Sequence, residues 1–239
     1  MKKICSIIVL LSVSMLIFNG CSSTEKQQTI ADTTQQVKQA VKDTPRQVGQ
    51  KQYSSSIEGF EFDKSYNEAD IIAQVEILEW LGESNNPDEG ESTFFKAKLE
   101  KTYKNTVDNS LKEIRLLQDG NSHYTNKELP LFKIGDKLML YLKKAVGEGY
   151  EGTYWILGSY SGVFRIINTD GQDFVVKQVG YCIPLSSAIA TEDGDKIRKK
   201  LKKDYKIEFS DIDKRLPETY NLDKVEKLIK ERKDTKDEK

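Results

Sequence analysis

Residues 137–144, KLMLYLKK, constrain the fold more than any other stretch of the 239-residue chain. Read as a strand, they put Leu138, Leu140 and Leu142 on one face and Met139 and Tyr141 on the other. A strand that is apolar on both faces belongs at the centre of a fold. The turn before it, Ile134-Gly135-Asp136, has glycine where a positive φ costs least.

Neighbouring segments repeat the two-residue alternation with one polar face. Residues 69–80 carry Ile71, Ala73, Val75 and Ile77 on one side and Gln74 and Glu76 on the other. Residues 93–103 set Phe95, Ala97 and Leu99 against Lys96, Lys98 and Glu100, and residues 111–117 alternate Ile114 and Leu116 with Glu113 and Arg115. Residues 153–159 and 162–168 predict two further strands, and Asp170-Gly171 turns the chain into residues 173–179 as a hairpin. Short strands at roughly 10–20-residue spacing, without helices between most of them, favour an antiparallel barrel or sandwich over a parallel α/β layer.

Beyond Pro184 the pattern becomes helical and highly charged. Residues 191–206 carry Ile197, Leu201 and Tyr205 four residues apart, a narrow apolar stripe, with Asp193 or Asp195 near the start. Asn221 is placed to cap a last helix whose packing face is Leu222, Val225, Leu228 and Ile229. Both helices are expected to lie on the barrel as a satellite, though so narrow a stripe also suits a partner.

The N-terminus has a different logic. Lys2 and Lys3 precede an uncharged, mostly apolar run of fifteen residues, 4–18, too short for the ~20 that span a bilayer. This is the order of a removable export signal. The segment Phe18-Asn19-Gly20-Cys21-Ser22-Ser23 resembles the lipobox of bacterial lipoproteins, with Phe18 where that motif prefers leucine. The resemblance implies cleavage between Gly20 and Cys21 and at least two acyl chains on Cys21, enough for stable anchoring at about 0.8 kcal/mol per buried methylene. An ordinary secreted protein is the alternative.

Removal of residues 1–20 takes Lys2 and Lys3 away and moves the formal charge from −1 to −3, which gives no case for nucleic acid as partner. With Cys5 lost and Cys21 acylated, Cys182 alone remains and no intrachain disulfide can form. Residues 22–56 are rich in Gln, Thr, Ser, Lys and Asp and too poor in apolar groups to offset their ordering entropy. They read as a flexible tether with an end-to-end distance of roughly 30–35 Å.

From about residue 65 to 180 the order of segments resembles a group of uncharacterised Gram-positive lipoproteins. It carries an ADII-type first strand at 69–72, LEKTYK at 99–104, IRLLQ at 114–118, LPLFKIGDKLMLYL at 129–142 and GVFRI at 162–166. Those domains are similar to the netrin and metalloproteinase-inhibitor module. The resemblance implies a mainly β chain built on a small antiparallel OB-like β-barrel with C-terminal α-helices. The expected organisation is therefore residues 1–20 as cleaved signal, 21–56 as lipidated cysteine and linker, 57–184 as β-barrel domain, and 185–239 as charged helical region.

Each candidate chemical signal has a plainer explanation. Gly147-Glu148-Gly149-Tyr150-Glu151-Gly152 is formally G-x-G-x-x-G, but a strand follows it and its two glutamates would repel an anion, so it reads as a strand–strand loop. His123 is the only histidine, which excludes a two-histidine metal site and leaves a surface loop residue. Cys182 would need His123 beside it to be a catalytic thiolate and reads as a buried thiol. Glu83, Asp88, Glu89 and Glu91 do not have calcium-loop spacing. The basic run Lys196, Arg198, Lys199, Lys200, Lys202 and Lys203 reads as a solvated helix face able to touch anionic lipid or wall polymer. Tyr150, Tyr154, Trp155, Tyr160 and Phe164 are dense enough for a stacking platform, with core packing accounting for most of them.

No catalytic residue, metal or cofactor is assigned. The expected function is a membrane-anchored extracytoplasmic binding or interaction module, with no enzymatic activity, that presents loops 118–128 and 145–153 to a protein or wall component. The alternative is a wall or peptide hydrolase centred on Cys182 or an unpaired acid.

Overall fold

The computed structural model describes residues 61–84, 91–124, 129–178, 185, 188–192, 194–207, 209 and 217–237. The signal, Cys21, the tether and Cys182 lie outside the described residues. The elements in order are α1 (Phe62–Glu68), β1 (Ile71–Ser84), β2 (Ser92–Asn105), β3 (Glu113–Asp119), β4 (Lys137–Lys144), β5 (Thr153–Ile156), β6 (Val163–Thr169), β7 (Gln172–Lys177), α2 (Asp195–Tyr205), β8 (Glu218–Asn221) and α3 (Leu222–Asp237).

The chain is mainly β, with an OB-like barrel and C-terminal helices. Strands β1, β2, β3, β5 and β4 form the barrel in that order, and the pairing of β1 with β4 closes it. All of its pairings are antiparallel except β3 with β5, which run parallel. The inward residues are those that alternate in the sequence: Ile71, Val75 and Ile77, Phe95 and Ala97, Ile114 and Leu116, Leu138, Leu140 and Leu142, and Tyr154 and Ile156. Leu129 and Phe132, from the irregular segment before β4, complete this core.

Strand β4 is central, as its two apolar faces require. It pairs with β1 along one edge, while β5 and β6 share the other, Leu142 opposite Ile156 and Leu140 opposite Val163. The chain between β5 and β6 crosses β4 at Tyr141, whose N–H donates to the Gly162 carbonyl at 3.0 Å and whose carbonyl accepts from Leu157 at 2.9 Å. A Cβ on residue 162 would lie 2.7 Å from the Leu157 carbonyl oxygen, so only glycine fits there.

β6 then leaves the barrel and heads a three-stranded extension, β6-β7-β8. Asp170 and Gly171 at its first hairpin have φ of 54° and 79°, the paired positive values of a type I′ turn. Along one face of β6, Val163 belongs to the barrel interior and Ile167 to a separate cluster with Val176, Ile197, Leu201 and Ile207 under α2. The opposite face, with the outer side of β4, packs a second core: Phe62 and Tyr66 of α1, Met139, Tyr141, Phe164, Val175 and Tyr220, and Val225 and Ile229 of α3.

Asn221 caps α3 through its Oδ1, which accepts from the Lys224 N–H at 3.2 Å, and the expected face is the buried one. Two elements had no signal in the sequence. Helix α1 ends where the Lys104 ammonium donates to the carbonyls of Tyr66, Asn67 and Ala69 at 2.6, 3.0 and 2.5 Å, a cation on the negative end of the helix. Strand β8 covers the edge of β7 and so ties the C-terminal region into the sheet.

Candidate functional site

The outer sides of β1 and β4 and the far end of β2, at Lys101 and Tyr103, meet the second core and α3, which leaves the outer face of β3, β5 and the first half of β2 outside that core. Its side chains follow from the register: Phe94 stands opposite Leu117, Lys96 opposite Arg115, and Leu117 opposite Trp155. The Arg115 guanidinium stacks over Phe94, 4.0 Å from the ring centroid, and donates to the Gly149 carbonyl at 3.0 Å. Lys96 pairs with Glu113 at 2.6 Å across the same face.

Loop 145–152 folds onto this surface. Its Tyr150 ring lies 6.3 Å from that of Phe94, tilted by 48°. Gly147, Gly149 and Gly152 have φ of 125°, 83° and 67°, and β5 follows directly, so the G-x-G-x-x-G spacing serves a tight strand–strand connection.

Past Leu117 and Trp155 the parallel strands β3 and β5 part, and the gap between them is a crevice of about 200 Å³. Leu117, Leu129, Ile156 and Tyr160 give it apolar walls, Gln118, Asp119 and Ser159 give it polar ones, and Trp155 also lines it. Trp155 is 38% exposed, the one aromatic side chain among the exposed large apolar residues described. Ser159 is held at φ 53°, a conformation that costs a residue with a Cβ, and its hydroxyl donates to the Asp119 carboxylate.

The loop beside the crevice is fixed by its own hydrogen bonds. Asn121 Oδ1 accepts from the N–H groups of His123 and Tyr124, each at 2.9 Å. The N–H and hydroxyl of Ser122 both donate to the Glu83 carboxylate at 3.0 Å, and the Thr93 hydroxyl donates to the Gly120 carbonyl at 2.7 Å. Gln118 is buried, accepting from the Phe132 N–H at 2.9 Å and donating to the Pro130 carbonyl at 3.3 Å. These bonds hold the Gln118 wall of the crevice and the adjoining loop in place.

Of the residues singled out in the sequence, Tyr154 and Tyr160 belong to the barrel core and Phe164 to the second core, while Tyr150 and Trp155 reach the β2-β3-β5 face. His123 is exposed on its loop. Glu83 is engaged by Ser122, and Asp88 and Glu89 lie outside the described residues. Among the described residues no three of His, Cys, Asp and Glu are grouped to hold a metal ion. Nothing in the sequence marks Phe94, Arg115 and Leu117 as one surface. The alternation placed each on an outer face, but only the cross-strand register brings them together.

The strand order and the face between these loops define an OB-type barrel, a class in which the surface of the second and third strands with the flanking loops commonly takes the ligand. No family model matches this chain, and no curated protein matches it in sequence.

Proposed function

We propose that this chain is a membrane-anchored extracytoplasmic lipoprotein whose barrel is a binding module for a protein or wall component. The observation that carries the binding role is the crevice of about 200 Å³ between the ends of β3 and β5, with the partly exposed Trp155 on its wall. Cofactor and metabolite sites generally enclose ~300–1,000 Å³, so this one suits a single apolar side chain or chain end of a larger partner. The surrounding face supplies Arg115 and Tyr150, residue types that with tryptophan dominate binding energy at interfaces.

The anchor is supported by the order Lys2-Lys3, apolar residues 4–18, then Gly20-Cys21-Ser22. On this reading Cys21 carries the lipid and the barrel works on the outer side of the membrane. Fractionation of Cys21→Ser tests it: the variant is expected in the soluble fraction, and its retention with membranes would sink the anchor.

For the binding role, a photo-crosslinking side chain at His123, next to the crevice, is expected to capture one partner in cells. Trp155→Ala should weaken that partner's binding about 30-fold, the effect of losing about 2 kcal/mol at an interface anchor. Capture that survives both Trp155→Ala and Leu117→Lys unchanged would remove the crevice from the proposal.

A further inference from the structure

Helix α2 carries a stripe of four lysines on its outer side, three of which make no ion pair among the described residues. Ile197 and Leu201 are buried against β6 and β7, and on the opposite side Lys196, Lys199, Lys203 and Lys206 recur at intervals of three and four. Lys200 and Lys202 are exposed on the flanks. Residues 195–206 hold seven of the chain's 37 Lys and Arg but two of its 38 Asp and Glu, a local charge of +5 beside −6 for all the rest.

Among the cations of α2, Lys196 pairs with Asp170 at 2.6 Å, Lys200 with Asp204 at 3.2 Å, and the Arg198 guanidinium lies 5.4 Å from the Phe209 ring centroid. Lys199, Lys203 and Lys206 make no ion pair among the described residues. Helix α3 gives the contrast, because its exposed side mixes both signs and pairs them: Lys224 with Glu192, Lys227 with Glu231, and Arg232 with Asp63. A helix that only needed solvation would be expected to look like α3.

We infer that the α2 lysine stripe is a docking surface for an anionic lipid bilayer. The inference rests on the anchored reading above, which keeps the domain near a membrane. The stripe is about 15 Å long, and each lysine stands closer to the next than the ~8 Å screening length of physiological salt, so neighbours act on a charged surface together. Each lysine at such a surface contributes up to about 1 kcal/mol, and clusters of four to eight on a helix are the usual number for anionic headgroups. The negative remainder of the chain is repelled by the same surface. The barrel would therefore meet the bilayer in one orientation, with α2 towards the lipid.

The test is amine footprinting of the full chain on vesicles of phosphatidylcholine alone or with phosphatidylglycerol, with acylation of each lysine read by mass spectrometry. Lys199, Lys203 and Lys206 are expected to react about fivefold more slowly on the anionic vesicles, the factor equivalent to about 1 kcal/mol per lysine, and high salt should restore them. The exposed Lys112, Lys230 and Lys233 should react alike on both vesicles. Equal reactivity of the stripe on both vesicles, or equal slowing of the three reference lysines, would overturn the proposal. Failure of the anchor has its own sign, the chain staying unbound with phosphatidylcholine vesicles. Stripe protection on anionic vesicles would still support the docking surface in that case, and its lack would still refute it.

Discussion

Arg165 and Asp136 meet at 2.6 Å with 1% and 5% of their side chains exposed, a charge pair taken out of water between β6 and the turn into β4. Asp136 is well supplied, since its carboxylate also accepts from the Tyr205 hydroxyl at 2.7 Å and the Lys133 N–H at 2.9 Å. Arg165 has this one carboxylate, and otherwise Tyr205, whose hydroxyl it reaches and whose ring lies 4.1 Å from its guanidinium carbon, and the Phe132 ring at 5.7 Å. The two halves of the pair should therefore cost unequal amounts to remove. Asp136→Leu leaves a buried guanidinium without its counter-charge and deprives two further donors, so it is expected to cost about 3–5 kcal/mol in urea unfolding. Arg165→Met leaves the carboxylate two of its donors and should cost less. The reverse ranking would mean that water or another group reaches the guanidinium.

The same carboxylate makes α2 a docked element and gives it a pH limit. Tyr205, at the end of the helix, donates to Asp136, while the Lys133 ammonium donates to the Asp204 carbonyl at 2.8 Å. Burial, and then the negative charge of Asp136, push the Tyr205 hydroxyl from 10.0 up to about 12. A raised value means that the folded state prefers the neutral phenol. The stabilisation is complete below pH 10, where the unfolded tyrosine is also neutral, and is lost as pH rises from 10 towards 12. Tyr205→Phe is expected to lower stability by about 1.5–3 kcal/mol at neutral pH, the range for a hydrogen bond to a charged group. Its deficit relative to the parent chain should shrink above pH 10, as thermal unfolding of both proteins at a series of pH values would read. A deficit constant to pH 12 would show that the hydroxyl does not hold α2.

Across the whole molecule, what could be read from the sequence was what one strand states about itself. β4 declared two buried faces, and Gly135 and Asp170-Gly171 marked turns that have the positive φ they suggested. The parallel pairing of β3 with β5 was not legible, because it joins residues nearly 40 apart with no local pattern, and the crevice exists only because those strands part. α1 offers two apolar contacts in seven residues and β8 spans four residues, too little for either period to show. These short elements decide how the C-terminal region relates to the barrel. Met139 and Tyr141 on the outside of β4 are kept from water by α1 and α3, so the barrel and its helices share one core across a strand they have in common. They should unfold together. Trp80 and Trp155 are the only tryptophans and both are in the barrel, so their fluorescence reports the strands, while far-UV dichroism at helical wavelengths reports α2 and α3. The two signals are expected to trace one urea transition with a single midpoint. Loss of the helical signal ahead of the fluorescence would make the helices a satellite on an independently stable barrel.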